Sequence, residues 1–99
     1  MRVLFIVSRL LEDDTALRLA EGMAEEGCQV SFLFIGGGCR HAADRGLEGA
    51  LRFAEGIHVL REDCRDMGLL GSLAEGVEAV DYEGWVDLLE ACEKVVSWN

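Results

Sequence analysis

Five short apolar runs are the feature of this sequence that most restricts its fold. The first, RVLFIV at residues 2–7, is continuous and rich in β-branched and aromatic residues, which is typical of a strand buried on both faces. The others are QVSFLFI (29–35), IHVL (57–60), VEAV (77–80) and KVVSW (94–98). None approaches the ~20 consecutive apolar residues that a membrane-spanning helix needs. The runs therefore predict five β-strands.

Segments with helical signals separate most of these strands. Residues 13–15 supply capping side chains for a first helix, which we expect to end at Gly27. Further helices are predicted over residues 41–55 and 82–92. Because apolar strands that alternate with helices favour a parallel sheet covered on both faces, we predict an α/β fold. Residues 1–99 should form a single three-layer α/β/α domain with a mainly parallel sheet of about five strands.

The charge and cysteine content exclude several classes of function. The 99 residues carry a formal net charge of −10, with 9 basic residues against 19 acids. Nucleic-acid binding requires a basic surface, so we expect no direct contact with nucleic acid, and the sequence predicts no membrane contact either. Ser8 and Arg9 interrupt the amino-terminal run, no cleavage site follows, and the four cysteines form no CxxC pair. We therefore expect a cytoplasmic protein with free thiols.

Chemistry is expected at the loops that follow the strands. In open α/β sheets, ligands bind beyond the carboxyl ends of the strands, where loops lead into helices. Three segments qualify, residues 8–14, 36–41 and 61–68, and cysteines lie in the last two.

Cys64, in REDCRDMGLLG (61–71), is the first candidate nucleophile. A thiol near the start of a helix feels amide dipoles that favour the thiolate, and Arg61 and Arg65 act in the same direction. The flanking acids oppose them, so the sign of the net pKa shift stays open. The alternative is a buried cysteine that acts as a small apolar residue, but its polar flanks argue against that. We expect Cys64 to be water-accessible.

Cys39, in GGGCRH, is the second candidate thiol. Its neighbours Arg40 and His41 are potential cations, and the glycines allow another molecule to approach the backbone closely. The alternative is that the glycines turn the chain and Cys39 packs beneath the second helix. Cys28 and Cys92 are expected to be packing residues.

The motifs indicate neither a metal nor a cofactor. The Cys-x-His spacing of Cys39 and His41 is not a recognised ligand pair. A G-x-G-x-x-G frame fails at His41, and the only lysine, Lys94, leaves no phosphate-binding Walker motif.

The carboxyl-terminal segment carries a possible interface. Its aromatic residues are Tyr82, Trp85 and Trp98. A helical face with Trp85, Leu88 and Leu89 should pack on the sheet, whereas Trp98 would be exposed unless a partner subunit covers it. We interpret the three aromatic residues as candidate interface positions.

Three segments resemble a known group of proteins. The ending VDYEGWVDLLEACEKVVSW resembles that of the DsrH/TusB family, which typically closes with Asp-Tyr, an aromatic-Val pair, a Leu and a final Ser-Trp or Ala-Trp. IHVLREDCRDMGLLG resembles the same family's third strand and its acidic turn. The first half, ALRLAEGMAEEGCQVSFLFIGGGC, resembles the broader DsrE/DsrF-like superfamily. The likeness covers essentially the whole chain.

The resemblance implies sulfur relay. Proteins of this superfamily pass a sulfane sulfur as a cysteine persulfide between partners, for tRNA wobble-uridine 2-thiolation or dissimilatory sulfur oxidation. In DsrE/TusD-type subunits the carrier cysteine lies in a Cys-x-x-Arg-Gly context after the third strand. Cys64 matches that cysteine and Gly68 the glycine, but the arginine is displaced to Arg65, with Met67 in its place. Many DsrH-type subunits lack a cysteine here.

Two hypotheses follow from these residues. In the first, Cys64 carries a persulfide that Arg61 and Arg65 stabilise, and Cys39 is a second relay site if its loop and the Cys64 loop lie side by side. In the second, the chain is a non-catalytic structural or regulatory subunit, and Cys64 is buried or dispensable. In both, the expected partners are homologous DsrE/DsrF-like subunits or further copies of this chain. The expected sulfur donors and acceptors are proteins with basic surfaces.

Overall fold

A five-stranded sheet with helices on both faces organises the chain, in a computed structural model that describes all 99 residues. In chain order the elements are β1 (Arg2–Val7), α1 (Thr15–Glu25), β2 (Gln29–Phe34), a 3-10 helix (Gly36–Ala43), α2 (Leu47–Ala50), β3 (Gly56–Leu60), α3 (Arg61–Asp66), a shorter 3-10 turn (Leu70–Ser72), β4 (Val77–Val80), α4 (Tyr82–Ala91) and β5 (Lys94–Trp98). All five predicted strands are present. None of these helices could span a lipid bilayer.

The sheet is parallel throughout, with the strand order β4-β3-β2-β1-β5. The chain steps from β1 across to β4 and then returns past β1 to form β5. Because crossovers between parallel strands are right-handed, steps in opposite directions place their helices on opposite faces. The helices before β4 therefore cover one face, and α4 covers the other. This arrangement confirms the predicted three-layer α/β/α architecture.

Alternate residues of β1 point into two separate clusters of buried side chains. Val3, Phe5 and Val7 belong to the larger cluster, beneath α1, the 3-10 helix, α2 and α3. Leu4 and Ile6 point to the opposite face, where the smaller cluster lies. Trp85 and Leu88 of α4 pack there. The core therefore consists of a thick layer on one face and a thin layer under a single helix on the other.

The prediction of one continuous helix over residues 41–55 is wrong. Asp44 leaves the helical conformation, with ψ at 121°, and its Oδ1 accepts a hydrogen bond from the N–H of Gly46 at 2.8 Å. Gly46 and Gly49 also weaken helix propagation by ~1 kcal/mol each relative to alanine. The segment folds instead as the 3-10 helix, a turn and the four-residue α2.

Candidate functional site

The two segments that carry the candidate thiols meet at the carboxyl edge of β2 and β3. The 3-10 helix starts directly after β2, and α3 starts directly after β3 at Arg61. The backbone N–H of Gly36 donates a hydrogen bond to Asp63 Oδ2 at 2.7 Å, which joins the two segments. Because β2 and β3 are neighbours in the sheet, the two segments lie side by side.

Cys64 is the fourth residue of α3, and its side chain is fully buried. It packs in the larger cluster beneath the helices. Because burial disfavours the charged thiolate, the pKa of Cys64 is raised above its ordinary value, and no cation opposes the shift. The expectation of a water-accessible thiol is wrong, since this helix position faces the sheet although its sequence neighbours are polar.

Cys39 is equally buried, beneath the same layer of helices. Its Sγ lies 3.7 Å from the carbonyl oxygen of Phe34, to which the thiol donates a weak hydrogen bond. Burial raises the pKa of Cys39 to about 12, and the adjacent Cys64 and Asp63 contribute in the same direction. None of the three cavities in the molecule is lined by Cys39 or Cys64. The structure therefore offers a reagent no open route to either sulfur.

The predicted supporting arginines do not bond to either sulfur. Arg61 extends toward β4, where its Nη2 donates a hydrogen bond to the carbonyl of Ala79 at 3.2 Å. Arg65 and Arg40 are exposed and form no ion pair or side-chain hydrogen bond. The positive charge that the sequence places near each thiol is therefore directed to solvent or to the backbone.

The imidazole of His41 makes a hydrogen bond and a ring contact within the fold. Its Nε2 accepts a hydrogen bond from the backbone N–H of Leu11 at 2.8 Å, and its ring centroid lies 5.5 Å from that of Phe34. Burial lowers the pKa of His41 below its ordinary value, which favours the neutral ring that this acceptor role needs. His41 thus holds the loop after β1 against the 3-10 helix. No group of three or more His, Cys, Asp or Glu residues is arranged to hold a metal.

The predicted interface residues divide between the core and the surface. Tyr82 is 55% exposed, whereas Trp85 packs toward the sheet with its ring centroid 6.3 Å from that of Tyr82. Trp98 pairs with Val7 in the sheet and packs against the larger cluster, so the expectation that it is exposed is wrong. Leu89, which was expected to face the sheet, is 39% exposed.

An unpartnered apolar stripe therefore runs along α4. Tyr82, Val86 and Leu89 are spaced by four and three residues, which places them on one side of the helix. Val86 is 50% exposed, between Tyr82 and Leu89 along the stripe. We refer to these three residues as the outer stripe of α4.

Sequence reasoning missed the structural role of Asp63. It treated this residue as one of the acids that disfavour a Cys64 thiolate, but its carboxylate holds the backbone of Gly36. An acid in the first turn of a helix beside a glycine-rich loop is a signal that could have indicated the bond, because exposed amide groups follow such glycines.

Comparisons with known proteins agree with this fold. The family model described as "DsrH like protein" matches residues 13–95. Among solved structures, the crystal structure of the YchN protein from E. coli superposes with a TM-score of 0.77. The match covers 99% of this chain and 100% of YchN at 15% sequence identity, so it shows a shared fold. No curated protein matches the chain. Since the family match spans most of the sequence, this chain belongs to the DsrH-like family.

Proposed function

We propose that this chain is a sulfur-relay subunit that docks against related subunits and does not itself carry sulfur on Cys64 or Cys39. Membership in the DsrH-like family supports a place in sulfur relay. The observation that carries the finer assignment is the complete burial of both thiols at the carboxyl edge of the sheet. Of the two hypotheses from the sequence, this observation favours the non-catalytic subunit.

The chemistry of persulfide transfer explains why burial of the thiols supports the non-catalytic role. A thiolate must attack the outer sulfur of a donor persulfide, so it needs both contact with another protein and an accessible charged form. Cys64 and Cys39 have raised pKa values and line no cavity. A donor could reach either sulfur only after α3 and the 3-10 helix moved away from the sheet.

The outer stripe of α4 supplies the docking surface of this proposal. Its apolar side chains are exposed beside the acids Glu83, Asp87 and Glu90 of the same helix. Interfaces of this kind combine an apolar centre with a charged rim, so a complementary partner presents apolar side chains framed by lysine or arginine. The occupant that we propose is a DsrE- or DsrF-like subunit of the same assembly, which agrees with the family of this chain.

Sulfur labelling tests the assignment of the thiols. The folded protein is incubated with a persulfide donor, alkylated, and analysed by intact mass and peptide mapping, in parallel with Cys64→Ser and Cys39→Ser. We expect no added sulfur atom on either cysteine in the folded chain, and addition at both once the chain is unfolded in denaturant. Sulfur on Cys64 of the folded protein, absent from Cys64→Ser, would establish Cys64 as a carrier and contradict the proposal.

A docking experiment tests the surface separately. The chain is mixed with DsrE- and DsrF-like subunits from the same source, and complexes are detected by size-exclusion chromatography and native mass spectrometry. Leu89→Asp should weaken the complex at least tenfold, or by about 1.4 kcal/mol, because it places a charge in the apolar centre. Leu19→Asp is the matched control, since Leu19 is 46% exposed on α1 in the opposite layer. Equal binding by the two variants would exclude this surface.

A further inference from the structure

The strand β5 forms one edge of the sheet and pairs with β1 alone. The backbone N–H of Ser8 donates a hydrogen bond to the carbonyl of Trp98, so the backbone groups of Trp98 point toward β1. Because these groups alternate in direction along a strand, those of Val95 and Ser97 point outward. No hydrogen bond outside the sheet ladders involves either residue. We refer to their outward N–H and carbonyl groups as the free edge of β5.

The opposite edge of the sheet, formed by β4, is obstructed. This strand has four residues, and the carbonyl of Ala79 accepts a hydrogen bond from Arg61 Nη2 at 3.2 Å. Glu78 adds an exposed carboxylate on the same strand, paired with His58. Short length, charged side chains and cover by a neighbouring group are ways in which proteins prevent an edge strand from pairing. Pairing with another chain is therefore favoured at β5 over β4.

The side chains of β5 leave its free edge accessible. Lys94 carries the only charge of the strand, at its first residue, and residues 94–98 contain none of the 19 acids of the chain. Val95 pairs with Leu4 in the sheet register, which places it on the face that α4 covers. Val95 is nevertheless 42% exposed, so α4 does not extend over β5. An exposed apolar side chain beside unpaired backbone groups favours addition of a further strand.

The sequence of β5 is complementary to a second copy of itself. Outward N–H and carbonyl groups of a strand are best satisfied by another extended strand. When two copies run antiparallel about Val96, Lys94 lies opposite Trp98 of the second copy, which places an ammonium group beside an indole ring. Val95 lies opposite Ser97, and the two Val96 side chains meet at the twofold axis. This register pairs all five residues and sets no like charges opposite each other.

We propose that two copies of this chain pair antiparallel through the free edge of β5, centred on Val96, to form one continuous sheet. The outward groups of Val95 in each copy bond to those of Ser97 in the other. The contact is isologous, so it uses the free edge of both copies and closes at a dimer. Pairing of β5 with β4 of another copy would instead grow into a filament, and Arg61 obstructs it.

The dimer is distinct from the docking surface on α4. Its twofold axis is perpendicular to the sheet, so the α4 helices of both copies lie on the same face and keep their outer stripes exposed. Strand pairing alone makes a small interface, and the net charge of −10 on each copy opposes association. Salt screens that repulsion, so the dimer should strengthen as salt rises. Docking of a basic partner on α4 should weaken with salt, so each proposal can fail without the other.

Sedimentation velocity of the full chain, under reducing conditions, tests whether the dimer forms. Concentrations up to about 500 μM cover the range of weak, reversible interfaces. We expect a monomer–dimer equilibrium that is tighter at high salt, with no larger species. A monomer at every concentration and salt, or growth beyond the dimer, would overturn the proposal. A chain that stays monomeric but pairs through β5 with a DsrE-like subunit would exclude a second copy as the occupant.

Removal of one backbone donor tests the hydrogen bonds of the free edge. A synthetic peptide of residues 92–99, with or without an N-methyl group on Ser97, is joined to residues 1–91 by native chemical ligation at Cys92. The methylated chain should dimerise about tenfold or more weakly than the unmodified ligated chain, because each dimer loses both Ser97 donors. Both chains should have the same Tm in dilute solution. Equal association of the two folded chains would exclude this edge.

Disulfide cross-linking tests the register. In a Cys28→Ser, Cys92→Ser background, Val96→Cys places two thiols at the twofold axis, with Cα atoms about 4.5 Å apart, which suits a disulfide. Mild oxidation with diamide should therefore link two copies. Ser97→Cys is the matched control, because its thiols would be diagonal neighbours about 7–8 Å apart and should link at least severalfold more slowly. Faster linking of Ser97→Cys, or no linking by either variant, would contradict the proposed pairing.

Discussion

The backbone N–H of Gly36 donates a hydrogen bond to Asp63 Oδ2, with 2.7 Å between the nitrogen and the oxygen. This bond links the first turn of α3 to the start of the 3-10 helix. The two segments that close over Cys39 and Cys64 are therefore fastened to each other as well as to the sheet. Asp63, which in the sequence is only a neighbour of Cys64, therefore helps to enclose the Cys64 thiol.

Replacement of Asp63 by alanine should destabilise the fold by about 1–3 kcal/mol, because it leaves a half-buried amide without its charged acceptor. The free energy of unfolding, measured by urea titration, checks this value. Asp66→Ala is the matched control, since Asp66 is an exposed acid of the same helix with no side-chain partner. It should change stability by less than about 0.5 kcal/mol. Similar losses in both variants would show that the Asp63 bond contributes little.

Gly38 should be intolerant of any side chain, because the 3-10 helix crosses the end of β1 at that point. A Cβ on Gly38 would lie 2.2 Å from the carbonyl oxygen of Val7, a backbone atom that cannot move independently. Gly38→Ala should therefore cost roughly 1–3 kcal/mol. At Gly37 the nearest atoms would be 3.7 Å away, an ordinary contact. Thermal unfolding should show a lower Tm for Gly38→Ala than for Gly37→Ala, and the opposite ranking would contradict the packing described.

His41 should make the fold sensitive to acid. Its pKa in the folded chain lies below the ordinary value of 6.5, so as the pH falls the unfolded chain takes up the proton first. The stability that neutral His41 contributes is complete above pH 6.5 and is lost as the pH falls toward the folded pKa. Urea titrations from neutral to mildly acidic pH should show this decline.

The matched pair for the acid experiment is His41→Gln and Arg40→Gln. The glutamine at position 41 does not titrate, so its unfolding free energy should fall less steeply with acid than that of the wild type. Arg40 is the exposed neighbouring cation, and its replacement should preserve the wild-type slope. A slope unchanged in His41→Gln would mean that other groups cause the acid sensitivity.

Alkylation rates should divide the four cysteines into two classes. With iodoacetamide on the folded chain, the partly exposed Cys28 and Cys92 should react first, as followed by peptide mapping. The fully buried Cys39 and Cys64 should react roughly 100-fold or more slowly, because each must wait for local opening. In denaturant the four rates should converge. Rapid modification of Cys64 in the folded chain would show that α3 opens readily.

The strands were predictable because their residues carry the physical signal themselves. RVLFIV, VEAV and KVVSW form strands over the predicted residues, and the other two runs differ by one residue at an end. A buried parallel strand needs apolar side chains on both faces, and that requirement is visible in any single sequence. The strand order β4-β3-β2-β1-β5 was not predicted, because the apolar runs do not show on which face of the sheet each helix packs.

The environment of the thiols was not predictable from the residues beside them. The polar flanks of Cys64 favour a water-accessible thiol, but in α3 Arg65 and Asp66 are exposed while the fourth position faces the sheet. Six residues are too few for a helical period to be recognised with certainty. The break near Asp44 was missed for a related reason, since a local side-chain bond to Gly46 overrides an otherwise helical pattern.

Among the four α-helices, α4 packs least tightly on the sheet. It is the only helix over Leu4, Ile6 and Leu33, and none of its own residues is fully buried. A subunit bound to the outer stripe would press this helix onto the sheet as well as cover the stripe. Binding of a partner would then also stabilise the packing of α4 on the sheet. We therefore expect α4 to be the first element to unfold locally in the isolated chain, and its backbone amides to be protected from hydrogen exchange in the assembly.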